Sequence, residues 1–255
     1  MLQNFIIYSP LEQFEVILYL FWFDHFFWCN ILFSNTSLFL VLTIFCIFIF
    51  FSFSFYEKLL VPNRWQYCVE TFYKVCASII FENIGSKGEK YFPLIFVLFL
   101  LLLFINLIGM VPYTFTITSH IAFTFGLSFS LFIGINIIGV YAHGFNFLCV
   151  FLPKGVPVFI IPLLIGIEFI SYIIKVFTLA IRLFANITSG HTLLKIIASF
   201  GWTLAHFSGM LVIFQFIPLC ILFALTGLEL GIAALQAYVF TLLTCIYLND
   251  VLDMH

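Results

Sequence analysis

Charged residues are scarce in this chain. Asp, Glu, Lys and Arg make up 8% of its 255 residues, against about 25% in soluble domains. Two long segments, from His25 to Tyr56 and from Tyr91 to Pro153, contain none of them. Hydrophobic residues make up 64% of the chain, and each charge-free segment exceeds the roughly 20 residues that cross a bilayer. This composition excludes a soluble domain and a nucleic-acid-binding surface, and it predicts an all-α integral membrane protein.

Motifs for several other kinds of chemistry are also missing. No GxxxxGK[ST] loop is present, so the chain does not hold nucleotide phosphates itself. The seven cysteines show no CxxC spacing and are expected to act as small buried hydrophobes. We therefore expect no cofactor, no metal and no catalytic role. No basic residue precedes Lys58, which argues against a secretory signal or an imported transit leader.

The hydrophobic pattern predicts a single membrane domain over residues 1–255 with about five to six helices. Its parts are an N-terminal interfacial segment (1–36), a first span (37–56), a surface amphipathic helix (62–85), a helical hairpin (91–142) and two long helices (158–248) that follow the turn LPKGVP. The long helices exceed one bilayer thickness, so we expect them to tilt steeply or lie nearly flat. Basic residues gather between 57 and 90, which predicts the cytoplasmic or matrix side for that segment and the opposite side for the N-terminus.

The first long helix carries isolated charges within apolar sequence. Glu168, Lys175 and Arg182 are spaced by seven residues, so they lie on one face of a helix. Asn186 continues this face, whereas His191 points in the opposite direction. The helix therefore has two polar faces.

The second long helix has matching polar residues. Glu229 and Gln236 share one face, and Asp250 lies near the end. Antiparallel packing of the two helices would bring Glu229 or Gln236 opposite His191. A carboxylate and an imidazole would then line a common water-filled path.

Arg182 is the charge that most needs a partner. A guanidinium in the middle of a bilayer costs roughly 2.5–3.5 kcal/mol on insertion scales, and no acidic residue lies within four positions of Arg182. A snorkelling or ion-paired structural charge is the alternative, and it suits Lys175 and Lys195 about equally well. Carboxylates and histidine can pass protons, but arginine cannot, so Arg182 calls for an anion from elsewhere.

The motifs SYIIKVFTLAIRLFANITSGH and GLELGIAALQAYVFTLL, with SPLEQFE and NLIGMVPYTFT, resemble subunit a of F-type ATP synthases, especially the mitochondrial form. The resemblance implies a stator subunit that conducts protons through two offset half-channels, while ATP chemistry takes place in other subunits. Its implied partners are the ring of c subunits, the peripheral stalk, other membrane-sector subunits and the lipid bilayer. It places the chain in the mitochondrial inner membrane, with a bacterial plasma membrane as the alternative.

The resemblance also assigns roles to single residues. Arg182 would face the carboxylate of the c-subunit ring and separate the half-channels. Glu168 would belong to the matrix-side exit. The half-channel open to the intermembrane space would contain five polar residues, which are His191, Glu229, Asn186, Gln236 and Asp250.

Other functions fit the sequence less well. A proton-coupled secondary transporter, or an antiporter-like subunit of a respiratory complex, would also carry lone charges in membrane helices. Such a transporter predicts repeats with broken helices in corresponding halves, whereas the charges here crowd into the second half. An electron-carrying subunit would require paired histidines for haem.

Overall fold

The computed structural model describes residues 9, 11–22, 31–55, 61–111, 114–144, 147, 161–205 and 215–252. Five helices among them are long and apolar enough to cross a membrane. Large apolar side chains are exposed along these helices, as in Phe48 at 67% and Phe223 at 81%. This arrangement confirms the predicted helical membrane protein, since such surfaces suit lipid or partner chains rather than water.

Six α-helices lie within the described part of the chain. They are α1 (Asn35–Phe55), α2 (Arg64–Asn83), α3 (Phe92–Gly109), α4 (Ile121–His143), α5 (Ile161–Ala205) and α6 (Phe216–Leu252). Short 3-10 helices precede α3 and α4, at Gly85–Tyr91 and Ile117–Ser119. The predicted turn LPKGVP lies outside the described residues.

A short β-hairpin precedes the helices and was not predicted. Strand β1 (Leu18–Trp22) pairs antiparallel with β2 (Ile31–Ser34). The sequence of β1, LYLFW, is rich in aromatic residues, which favour strands. The sequence predicts only an interfacial segment here, because its charges indicate a membrane interface. Its hydrophobic residues show no periodicity that predicts strands.

Helix α3 forms the centre of the packing. Its residues Leu102 and Ile105 are almost fully buried, and α3 makes its most extensive contacts with α6. Helix α6 in turn packs along α5. The two long helices are therefore held side by side against a hydrophobic core, which includes Leu183 of α5 and Phe240 of α6.

The amphipathic helix α2 marks one end of the molecule. Its first turn is capped by Asn63, whose Oδ1 accepts a hydrogen bond from the N–H of Arg64 at 2.8 Å. Its buried residues Ile79 and Ile80 pack with Leu248 and Val251, near the end of α6. The end of α6 therefore lies beside α2.

The opposite end of the molecule contains the start of α1 and the turn before α4. Phe39 in the second turn of α1 contacts Phe115, with ring centroids 6.1 Å apart.

Helix α5 is longer than a bilayer is thick. At about 1.5 Å per residue, it is roughly 65 Å long, well over the thickness of a bilayer's hydrocarbon core. Helix α5 continues past Gly201 to Ala205, because the segment contains no proline to stop it.

Candidate functional site

The polar residues of the two long helices face one another in antiparallel order. Asn186 of α5 donates a hydrogen bond from Nδ2 to Oε1 of Gln236 on α6, at 3.0 Å. In one direction from this contact, Glu229 lies against Gly190. In the other direction, Lys175 meets Asp250. The two helices thus form one file of polar contacts along their shared seam.

A cavity of about 180 Å³ lies at the Glu229 end of this file. His191 and Glu229 line it from opposite helices, together with Asn186 and Met110. Nε2 of His191 and Oε2 of Glu229 are buried and have no hydrogen-bond partner among the described residues. Buried polar atoms of this kind need water or another polar ligand, and the volume holds several waters at about 30 Å³ each.

Gly190 makes the approach of Glu229 possible. A Cβ atom at this position would lie 2.8 Å from Oε1 of Glu229 and 3.0 Å from its carboxyl carbon. Any larger residue would therefore push the carboxylate away from α5. The motif SGH thus supplies both the imidazole and the space in which the carboxylate sits beside it.

Arg182 lies on α5 between the two ends of the file. Its side chain is exposed, and its guanidinium makes no hydrogen bond or ion pair with any residue that the structure describes. Exposed apolar side chains flank it along the helix, with Ile174 at 50% and Ile181 at 49% exposure. The permanent charge of Arg182 is thus exposed on an apolar helix and has no anion among the described residues.

Lys175 and Asp250 form an ion pair at the other end of the file. Nζ of Lys175 lies 3.2 Å from Oδ2 of Asp250 and 5.2 Å from the centre of the Tyr247 ring. Next to this pair, Tyr172 donates a hydrogen bond to Oδ1 of Asn136 on α4, at 2.7 Å. These side chains satisfy one another, unlike those of the cavity.

Comparison with known proteins shows the family of the chain. The family model for the ATP synthase A chain matches residues 36–249. A protein named ATP synthase subunit a from Chondrus crispus is 62% identical over 253 residues, covering 99% of both chains. The proteins of that name from Marchantia polymorpha and Brassica napus are 49% and 47% identical, each covering 97% of this chain and 99% and 97% of their own lengths.

The chain belongs to the ATP synthase A chain family. It is therefore a non-catalytic, multi-pass membrane subunit of an ATP synthase, and its work is proton translocation in the stator of the membrane sector. Its relatives place it in the mitochondrial inner membrane. Other subunits of the membrane sector are its partners.

The structure separates some of the residues that the resemblance to this family grouped together. His191, Glu229, Asn186 and Gln236 are adjacent, whereas Asp250 lies about 30 Å further along α6 than Glu229, at about 1.5 Å per residue. Its carboxylate pairs with Lys175 instead. The sequence could not predict which residue of α5 lies beside Asp250, because that pairing depends on how far the two helices overlap along their length.

Glu168 also lies apart from the cavity residues. It is exposed on α5, two turns before Lys175, and no hydrogen bond or ion pair joins it to another described residue. It lies on the same face of α5 as Arg182, beyond the Lys175–Asp250 pair.

Two further residues at or near the site were not predicted from the sequence. Asn106 on α3 is buried and donates a hydrogen bond to the carbonyl oxygen of Ala233, at 3.2 Å. Met110, just after α3, closes one wall of the cavity. Asn106 is recognisable in the sequence as a lone amide in an apolar span. Its hydrogen-bond partner, however, is known only from the packing of α3 on α6.

Proposed function

We propose that Arg182 is the fixed cation that faces a carboxylate on a rotating ring of c subunits. The observation that carries this proposal is an exposed guanidinium, without an ionic partner among the described residues, in the middle of a long apolar membrane helix. A carboxylate on another chain would stabilise such a charge. The peripheral stalk and the remaining subunits would occupy other exposed apolar surfaces of the chain.

The shape of the Arg182 face supports close approach by a ring of helices. The exposed positions 171, 178, 185 and 189 carry Ser, Thr, Ala and Ser on the same side of α5 as Arg182. Small residues let helices pack closely within a membrane. The length of α5 would also allow it to contact more than one helix of the ring at a time.

We propose that one half-channel leads from the intermembrane space to the Arg182 face. His191 and Glu229 would exchange protons with the water of their cavity, and Asn186 with Gln236 would continue the path by hydrogen bonding. The cavity shared by His191 and Glu229 and the hydrogen bond between Asn186 and Gln236 support this path. The Asn186 side chain is itself exposed beside Arg182, so the path reaches the face that the ring would cover.

We propose that the second half-channel leads to the matrix and includes Glu168. Asp250 lies on the same side of Arg182 as Glu168, so we assign it to this side rather than to the intermembrane-space path. There it neutralises Lys175. Arg182 is then the unpaired cation of the face.

The distribution of basic residues supports this sidedness. Arg64 and Lys74 of α2, with Lys87 and Lys90 after it, lie at the end of the molecule where α6 finishes. Basic loops stay on the cytoplasmic or matrix side. The Asp250 end would therefore face the matrix, and the Glu229 end the intermembrane space.

The mechanism follows from the charge states of the ring carboxylate. An ionised carboxylate is attracted to Arg182, and a protonated one is neutral and can move away into lipid. A proton from the Glu229 side would neutralise one carboxylate, and the returning carboxylate would release its proton towards Glu168 before it meets Arg182. Each transferred charge is worth about 2.3 kcal/mol per 100 mV, which would drive rotation and, through it, ATP synthesis.

Cross-linking tests whether the Arg182 face meets the ring. Ala185→Cys would be combined with single cysteines placed along the outer helix of the c subunit, followed by mild oxidation. We expect a disulfide product near the ring carboxylate. Phe223→Cys, exposed on α6, is the control, and the native cysteines are the same in both variants. A product from Phe223→Cys but none from Ala185→Cys would refute the proposal.

A further inference from the structure

The N-terminal segment contacts α5 at His191, which lines the cavity, and at Lys195. We call residues 9 and 11–17 the N-terminal brace; they precede residue 36, where the match to the family model begins. The brace contains a short 3-10 helix, Glu12–Phe14. Two of its residues contact α5 directly, and both contacts are close to His191.

The first contact involves the ring of Phe14. The centres of the Phe14 and His191 rings are 6.5 Å apart, and the ring planes meet at 77°. This is an edge-to-face arrangement, which aromatic pairs prefer. Phe14 is half-buried, so its ring limits both the rotation of the imidazole and the access of solvent to it.

The second contact fixes the beginning of the brace. Nζ of Lys195 donates a hydrogen bond to the carbonyl oxygen of Ser9 at 3.1 Å. Lys195 follows His191 by one helical turn, so the anchor lies beside the imidazole. Within the brace, the N–H of Ser9 donates to Oε1 of Glu12 at 3.2 Å, which stabilises the turn.

The end of the brace is fixed to the start of α1. Nδ2 of Asn35 donates a hydrogen bond to the carbonyl oxygen of Glu15 at 3.0 Å. The N–H of Asn35 donates to the carbonyl oxygen of Ile17 at 3.1 Å. The brace is thus anchored at both ends, with Phe14 between the anchors, and this arrangement holds the aromatic ring against His191.

We infer that the N-terminal brace covers the outer end of the His191–Glu229 cavity and that Phe14 is a positioning residue, which orients the imidazole towards Glu229. The inference rests on the proposed proton path through this cavity. The charged groups on the segments that adjoin the imidazole are Glu12 and Glu15 on the brace, Lys195 on α5 and Glu229 across the cavity. Phe14 acts only through His191.

Chemical modification of His191 in the intact ATP synthase tests the cover. Diethyl pyrocarbonate would be applied to membranes with native Phe14, Phe14→Ala or Phe14→Tyr, and modification of His191 would be measured by peptide mass spectrometry relative to His143. We expect several-fold faster modification in Phe14→Ala and a native rate in Phe14→Tyr. Phe81→Ala, which removes an exposed ring from α2, is the control and should leave the rate unchanged.

ATP-driven proton pumping across a range of pH tests the positioning role in the same membranes. We expect Phe14→Ala to lower the rate several-fold and to displace the pH profile, and Phe14→Tyr to restore both. An unchanged rate of His191 modification, or unchanged pumping and pH profile in Phe14→Ala, would overturn the inference. If Glu229→Gln also pumps at the native rate, the proposed proton path has failed, whereas the modification result would still decide whether the brace covers His191.

Discussion

The two ends of the polar file differ in how their charges are satisfied. At one end, His191 and Glu229 share a cavity, and each has a buried polar atom without a hydrogen-bond partner in the described part of the chain. At the other end, Lys175 and Asp250 neutralise each other at 3.2 Å, with side chains that are 34% and 45% exposed. Polar groups that depend on water can exchange protons with it, whereas Lys175 and Asp250 already satisfy each other by direct contact.

Arg182 separates these two ends and belongs to neither. Its side chain is exposed, and no described residue forms an ion pair with it. Along the α5–α6 pair, three sites thus follow one another: an acid–base site beside a cavity, a cation without an ionic partner among the described residues, and a closed ion pair.

Replacing Arg182 with Ala removes the lone cation from between the two ends. We expect the subunit to assemble and ATP-driven proton pumping to be lost, because ring carboxylates no longer meet a fixed positive charge. Acidification of inverted membrane vesicles measures pumping, and immunoblots of the purified complex measure assembly. Arg64→Ala in α2 is the control and should pump normally; pumping by Arg182→Ala at the control rate would contradict the role.

Replacing Glu229 with Gln removes the titratable group of the cavity at nearly constant shape. We expect pumping to fall by about a hundredfold, the lower range for loss of a general acid or base, without an increase in passive leak. Vesicle acidification measures the effect. Glu82→Gln, on the exposed surface of α2, provides a matched control. If both variants pumped equally well, Glu229 would not lie on the path.

Replacing Gly190 with Ala displaces the Glu229 carboxylate without removing it, because the new Cβ would lie 2.8 Å from Oε1. We expect about a tenfold loss of pumping, below the hundredfold that a misplacement of about 1 Å can cause. Initial rates of vesicle acidification measure it. Gly227→Ala serves as control, since a Cβ there meets nothing within 4 Å. Equal rates in the two variants would show that the carboxylate position is unimportant.

Replacing Asp250 with Ala leaves Lys175 as a second unpaired cation. We expect a reduction in pumping of a few-fold, which the double variant Lys175→Ala/Asp250→Ala reverses because it removes both charges. Stability should change by no more than about 1 kcal/mol, as for other exposed ion pairs. Pumping and thermal unfolding of the four members of this mutant cycle measure the coupling. A double variant as slow as Asp250→Ala would instead place Asp250 on the proton path.

The sequence predicted the helical membrane fold because its apolar segments are long and its breaks are clear. It also predicted that Glu229 or Gln236 could face His191, and the structure places Glu229 there because α5 and α6 are antiparallel. The position of Asp250 was not predictable in the same way. A shift of one turn in the overlap of two long helices changes every pairing, and that overlap is set by α3, which packs on α6 through Asn106 and its apolar neighbours.

The contact between Phe14 and His191 could not be predicted for a related reason. The two residues are far apart in the chain, and no periodicity links them. Their contact depends on the anchors at Lys195 and Asn35, which are ordinary polar residues in the sequence. Local patterns predict helices and faces, but contacts between distant segments follow from the packing of the whole chain.

Passive proton leak, after removal of the soluble head, tests most directly whether Arg182 separates two half-channels. Membranes would carry the native chain, Arg182→Ala or Arg182→Ala/Glu229→Gln, and a pH-sensitive dye would report the leak. We predict a low leak in native membranes, a raised leak in Arg182→Ala and a return to the low value in the double variant. A leak in Arg182→Ala as low as in native membranes, or one that Glu229→Gln does not reduce, would contradict the account.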